Sequence, residues 1–211
     1  MNNIEEQVAL RHWDRIAKVY TMLRFNPISY VILRKEQRSI LNLLGRRTEI
    51  PDSGSALDLG MGSGLSLDLI PADISRIHAL DQSAEMVART RIKYKHVETI
   101  TGSALNTPYE SGCMDLILCI GVSEYIADID VLISEIFRVL DDKGSAIITS
   151  SSPNILNHIR KISGHKLYLR SDIEMSERLS AGDFNIVRIS RTLIQDQFLI
   201  QKLKDGITGS A

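Results

Sequence analysis

From residue 55 onward the chain alternates between short apolar runs and segments whose apolar residues return every three or four positions. The runs SALDLG, RIHALD, VETITG, MDLILCIG and SAIITSSS, at 55–60, 76–81, 97–102, 114–121 and 145–152, have the length and β-branched content of strands. Between them, SAEMVARTRIKY and IDVLISEIFRVL carry a helical pattern; in the second, Val131, Leu132, Glu135, Ile136, Val139 and Leu140 recur near the helical period. Parallel neighbours need a crossover that packs back onto the sheet, so this alternation predicts βαβ units and a mainly parallel sheet with helices on both faces.

The end of the chain breaks the rhythm. NIVRISRTL (185–193) and FLIQKLK (198–204) are separated only by the polar stretch IQDQ, too short for a helical crossover, and predict an antiparallel hairpin. Helices are expected in 153–163 and after Ser171 and Asp172, residue types that cap helix N-termini, and two amphipathic helices in residues 3–44. The architecture implied is an α/β, doubly wound, Rossmann-like sheet of seven strands, mostly parallel with strand 7 antiparallel.

Composition narrows the partners. The chain has 211 residues, 44% hydrophobic and 24% charged, with a net charge of -1. That length suits one compact domain, and that charge supplies no field to gather nucleic acid or an anionic membrane surface. The opening MNNIEEQVALRHW is acidic and amphipathic, unlike a signal peptide, and no apolar run approaches the ~20 residues of a membrane span. A soluble, cytoplasmic protein acting on a small molecule is the expectation, with no nucleic acid and no membrane span. Cys113 and Cys119 are too few for a disulfide framework and lack the CxxC spacing of zinc sites, so they read as structural thiols and no metal is expected.

The first strand ends in SALDLGMGSG, residues 55–64. A strand that runs into a glycine turn and then a helix brings backbone close to a ligand at the sheet edge. A dinucleotide fingerprint runs GxGxxG; here the glycines are Gly60, Gly62 and Gly64, followed by Leu65 and Ser66, which argues against a dinucleotide.

Asp58-x-Gly60-x-Gly62-x-Gly64 resembles the first motif of class I S-adenosylmethionine-dependent methyltransferases, of the small-molecule, ubiquinone-type branch. In that family the loop wraps the methionine part of the cofactor. LDQSAEMVART is similar to the second motif: Asp81, 17 residues after Gly64, would accept bonds from the two ribose hydroxyls, with Gln82 beside it and Met86 packed on adenine. TGSALNTPYESGCMDLILCIGVSEYI resembles the next motifs, where Ser103 stands in place of a common aspartate and, with Ala104, would meet adenine. ISEIFRVLDDKGSAII is similar to the family's helix, turn and fifth strand, with Asp141, Asp142, Lys143 and Gly144 where a proline and two glycines are common. DIEMSERLSAGDFNIVRI looks like the approach to strand six. The resemblance implies one domain over 1–211: an N-terminal helical lid (1–44) and a Rossmann-like core (45–211) whose segment 153–183 shapes the substrate side.

The implied reaction is methylation of an oxygen, nitrogen or carbon by in-line displacement, leaving S-adenosylhomocysteine, and its main demand is positioning. Ligands in such sheets bind beyond the C-terminal strand ends, so Ile120, Gly121, Ser123, Glu124 and Tyr125 are expected to face the methyl group. Tyr125, Glu124 and His158 are the candidate catalytic groups; a base is needed only where the acceptor must lose a proton. In HWDRIAKVYTML, Trp13, Ile16 and Tyr20 share a helical face, and Tyr20 would touch the methionine end. His165 is a candidate acid or base like His158, His12 a candidate at the pocket mouth, His78 reads as structural, and Arg160, Lys161, Lys166 and Arg170 make the substrate-side stretch basic. The alternatives are a non-catalytic cofactor-binding scaffold and an NAD-dependent oxidoreductase.

Overall fold

The computed structural model describes residues 27–46, 54–162 and 167–203. The readings of the first N-terminal helix, His12, Trp13, Ile16, Tyr20, His165 and Lys166, and of the side chains of Arg160 and Lys161, lie outside the described residues. The elements run α1 (Pro27–Leu44), β1 (Ser55–Leu59), β2 (Arg76–Asp81), α2 (Ala84–Lys93), β3 (Glu98–Thr101), β4 (Met114–Cys119), α3 (Ile129–Val139), β5 (Leu140–Ser150), α4 (Ile155–Ile162), α5 (Asp172–Ala181), β6 (Phe184–Arg191) and β7 (Asp196–Lys202).

The strands form one seven-stranded sheet in the order β3-β2-β1-β4-β5-β7-β6. All pairings are parallel except those of β7, which is antiparallel to β5 and β6. The predicted fold class is therefore the observed one. Strand order reverses between β1 and β4, and the C-terminal ends of those two strands frame the crevice where this topology receives ligands.

Both faces are covered. Ile40, Leu43 and Leu44 of α1 pack on Ala56, Leu116, Leu118, Ile147 and Leu199. On the opposite face Leu132, Ile133 and Ile136 of α3 and Met175 and Leu179 of α5 pack on Leu57, Leu59, Ile117, Ile148 and Phe198. Alternate residues of one strand thus feed two cores, which is why β1 and β4 are buried along almost their whole length. Ser171 caps α5 as its residue type suggested, its hydroxyl accepting from the Glu174 amide.

Three local readings are corrected. The glycine turn feeds no α-helix; only a single 3-10 turn, Leu67–Leu69, lies between it and β2. Asp141 to Gly144, read as the turn before strand five, lie inside β5, because Met114 pairs with Leu140 and Leu116 with Ser145, so that these four residues bulge opposite Asp115. Gly144 makes the bulge possible, since a Cβ there would sit 2.8 Å from Leu140 Cδ1 and 3.0 Å from the Asp115 carbonyl. Finally, IQDQ is not a polar connector: β7 already begins at Asp196, and Gln195, Asp196 and Gln197 are buried.

Candidate functional site

The glycine turn is held from β2. The Leu80 carbonyl accepts from the amides of both Gly60 (2.7 Å) and Met61 (3.0 Å), the Gly64 amide donates to Met61 O, and the Gly62 amide donates to Asp81 Oδ2 at 2.8 Å. These four donors are spent within the protein, so the turn is no phosphate nest, in keeping with the missing third glycine of the dinucleotide pattern. All three motif glycines have positive φ, but they differ in what surrounds them. A Cβ at Gly60 would lie 2.4 Å from Val122 Cγ2, and one at Gly64 2.8 Å from Tyr94 Cε2. At Gly62 it would meet nothing within 4 Å. Gly60 and Gly64 serve packing; Gly62 leaves its bare backbone facing open space.

Asp81 is the hub. Its Oδ1 accepts from the Ser83 amide (2.9 Å) and Oδ2 from Gly62, while its carbonyl accepts from the Gly102 amide (2.9 Å) and so fixes the exit of β3. Gln82 beside it is exposed, whereas Met86, 2% exposed on α2, has the burial of a core methionine.

Asp58 lies under the turn at 1% exposure, its Oδ2 accepting from Ser66 Oγ at 2.5 Å. Burial pushes its carboxyl from 3.8 up to about 7; the Ser66 bond opposes that shift and the nearby Asp81 charge adds to it. The group is held between its two charge states, and an approaching cation would favour the ionised one.

On the β3 side, Ser103 and Ala104 are half-buried, and Ser103 Oγ accepts from the Leu105 amide at 3.2 Å, which leaves its proton and a lone pair available. The following loop is braced by α3. Glu135 Oε1 accepts from the amide (2.6 Å) and hydroxyl (2.7 Å) of Thr107, and Arg138 donates to Glu135 and to the Tyr109 carbonyl. Glu135 is thus the one charged residue on that helix's inner face with a purpose the sequence pattern did not reveal.

Beyond β4, Gly121 has φ +70° and its amide donates to Thr149 Oγ1 (2.8 Å), while Ser123 Oγ donates to the Thr149 carbonyl (2.6 Å). Ile120, Gly121 and Tyr125 are half-buried at this end, with Tyr125 in a 3-10 turn. Glu124, a catalytic candidate of the sequence, is 1% exposed, its Oε1 accepting from Ser151 Oγ and its carbonyl from the Tyr168 amide, so it anchors the loop from beneath. His158 is exposed on α4, its Nδ1 2.8 Å from the Asn154 carbonyl, and borders a cavity of about 430 Å³ with Pro153, Leu167, Tyr168, Leu169, Arg170 and Glu174. Arg170 is not part of a solvated basic face. It is 6% exposed and donates to the carbonyls of Ser123, Ile126 and Ala127, clamping the loop after β4.

The structure therefore brings together Asp58, the three glycines, Asp81, Ser103, Ala104, Ile120, Gly121 and Tyr125 at adjacent strand ends. Two residues escaped the sequence reading: Thr149, which staples β5 to β4, and Gln195 of the β6–β7 turn, whose Nε2 would be 3.7 Å from a Cβ at Gly121. Only the antiparallel return of β7 puts Gln195 there.

Residues 57–148 match the methyltransferase domain family. A demethylmenaquinone methyltransferase of Thermotoga maritima is 28% identical over 206 residues, covering 94% of this chain and 87% of that protein. A probable S-adenosylmethionine-dependent methyltransferase of Mycolicibacterium smegmatis is 32% identical over 98 residues, but these are 46% of this chain and 37% of that protein. Among solved structures, magnesium protoporphyrin IX methyltransferase from Synechocystis, with S-adenosylhomocysteine bound, shares the fold with a TM-score of 0.75 at 16% identity, over 93% of this chain and 99% of that one. The sheet order and the glycine turn agree with those expected of a class I S-adenosylmethionine-dependent methyltransferase, and the methyltransferase domain match spans β1 to β5. Along nearly its whole length the chain is similar to the Thermotoga demethylmenaquinone methyltransferase, and the comparisons support S-adenosylmethionine as the cofactor.

Proposed function

We propose that this chain methylates an oxygen, nitrogen or carbon of a small molecule held beyond the end of β4. The observation that carries the reading is Gly62, whose left-handed backbone faces open space while its amide is tied to Asp81. The residues present fit the cofactor. Gly60, Gly62 and Gly64 would cradle its methionine end, and Asp58 beneath them would favour a cationic ammonium. The acceptor-only carboxylate of Asp81 would take the ribose hydroxyls, and Ser103 with Ala104 would face adenine, with Gln82 and Met86 flanking it.

When bound, S-adenosylmethionine supplies a methyl group on a positively charged sulfur that leaves in line with the attacking atom. The chain's task is then orientation. Thr149 and Arg170 fix the loop after β4, so that Ile120, Gly121 and Tyr125 present a rigid wall to the acceptor. His158, exposed at the cavity beside this loop, is the remaining candidate to receive a proton from a hydroxyl acceptor.

The Thermotoga relative is named for demethylmenaquinone, which makes an aromatic quinol the first acceptor to try. Net charge of -1 supports a small acceptor over nucleic acid. The test uses S-adenosylmethionine labelled in its methyl group with a short-chain 1,4-naphthoquinol, a catechol, a set of small amines, and bulk tRNA and DNA. Label in a small molecule with matching release of S-adenosylhomocysteine supports the reading. Label in nucleic acid, or cofactor binding with no transfer to any acceptor, overturns it, the second outcome favouring a scaffold.

A further inference from the structure

β7 runs antiparallel to β5, so the turn from β6 comes back to the C-terminal edge of β4 and β5, where the glycine turn and Gly121 also lie. Thr149 pairs with Gln197 and Ser150 with Asp196, which puts Gln195 just past the end of β5. Gln195 is 6% exposed. Its backbone is fully engaged: the amide donates to Thr192 Oγ1 (3.3 Å), and the carbonyl accepts from the Thr192 amide (2.9 Å). Its carboxamide, by contrast, makes no hydrogen bond among the described residues, although it carries two donors and two lone pairs. The small exposure that Gln195 retains leaves this carboxamide within reach of water or a ligand.

The side chain is aimed at the reaction side: Nε2 would be 3.7 Å from a Cβ on Gly121, the residue that follows Ile120 at the end of β4. Its backbone is held from α1. The Thr192 hydroxyl lies 2.6 Å from Glu36 Oε2 and 2.5 Å from the Gln195 carbonyl, its single proton shared between them, and Gln197 Nε2 donates to the same Glu36 oxygen at 3.0 Å. Glu36 and Gln197 are themselves buried, so the turn is anchored on a network that does not depend on the carboxamide of Gln195.

We propose that Gln195 is an acceptor-binding residue: its carboxamide hydrogen-bonds a neutral hydroxyl, carbonyl or amine next to the methylated atom, beside Gly121. This rests on the methyl-transfer reading above. It adds that the acceptor carries an uncharged polar group, because a carboxamide can both donate and accept but offers no charge to balance an anion or a cation.

The test compares wild type with Gln195→Met, which keeps the length and removes the polar atoms, and Gln195→Asn, which keeps the carboxamide on a shorter arm. S-adenosylhomocysteine affinity, measured by calorimetry, should stay within about twofold in both, which also reports a folded site. With the acceptor that turns over, 1,4-naphthoquinol or catechol, KM should rise about five- to tenfold in Gln195→Met, the loss of about one hydrogen bond, with a smaller rise in Gln195→Asn. Unchanged KM and kcat in both variants would overturn the proposal. Should wild type turn over neither acceptor, the methyl-transfer reading is what fails, and side-chain amide NMR decides Gln195 separately. With S-adenosylhomocysteine bound, the resonance that disappears in Gln195→Met should shift when either compound is added, and a resonance unmoved by both overturns the assignment.

Discussion

Replacing Asp58 by Asn tests the electrostatics of the glycine turn directly. Asn keeps an oxygen to accept from Ser66 and removes only the charge. In the folded chain burial holds this carboxyl near 7, against an ordinary value of 3.8, which at ~1.4 kcal/mol per tenfold corresponds to about 4 kcal/mol. The sign follows from proton binding. Between pH 3.8 and about 7 the folded state holds a proton that the unfolded state has lost, so wild-type stability falls as pH rises through this window and is level above it. Urea unfolding from pH 4 to 8 should show wild type losing about 2–4 kcal/mol relative to Asp58→Asn by pH 7, the lower figure allowing for relaxation around the charge. The variant should also lose cofactor affinity, since the carboxylate that favours a cationic methionine end is gone. Parallel stability curves for the two proteins would refute the reasoning.

Two of the glycines should separate stability from binding. Gly60→Ala drives a methyl into Val122 at positive φ and should cost about 2–4 kcal/mol of unfolding free energy, whereas Gly62→Ala meets no neighbour and should cost about 1 kcal/mol while weakening S-adenosylhomocysteine at least about tenfold by calorimetry. Glu135→Gln should lower stability by about 2 kcal/mol at neutral pH, because charge-assisted bonds to Thr107 and Arg138 are weakened. Burial alone would raise the Glu135 carboxyl, but the Arg138 and Thr107 bonds outweigh it and hold it below its ordinary 4.5, so its contribution is present above that value and disappears as pH falls through the depressed one. Acid unfolding of Glu135→Gln should accordingly begin from a lower stability but with a shallower pH slope than wild type.

The periodicities carried most of the fold. Strands at 76–81 and 114–119 and helices at 84–93 and 129–139 match their apolar patterns because each buries one stripe or both faces of a strand. The terminal hairpin was legible because four residues cannot make a crossover. Where the pattern misled, tertiary packing outweighed residue type. Gln195, Asp196 and Gln197 look like a solvated turn, yet the sheet draws them inside and pairs Gln197 Nε2 with Glu36 across 161 positions of sequence. Arg170 looks like part of a basic surface, yet it spends its donors on loop carbonyls, which no local pattern signals. Glu124 has the right position after β4 for catalysis, but Ser151 and Tyr168 draw it under the loop. The motif residues were readable for the opposite reason: glycine spacing and an aspartate at a strand end are local requirements of the turn itself, as the Gly62–Asp81 bond shows.

Calorimetric titration of the purified chain with S-adenosylhomocysteine, S-adenosylmethionine and NADH, with Asp81→Ala in parallel, tests the central claim most directly. The account predicts saturable binding of the first two, none of NADH, and a loss of at least about 100-fold in the variant, which removes both the proposed ribose acceptor and the tether on Gly62. Binding of NADH alone, or undiminished binding of S-adenosylhomocysteine by Asp81→Ala, would contradict it.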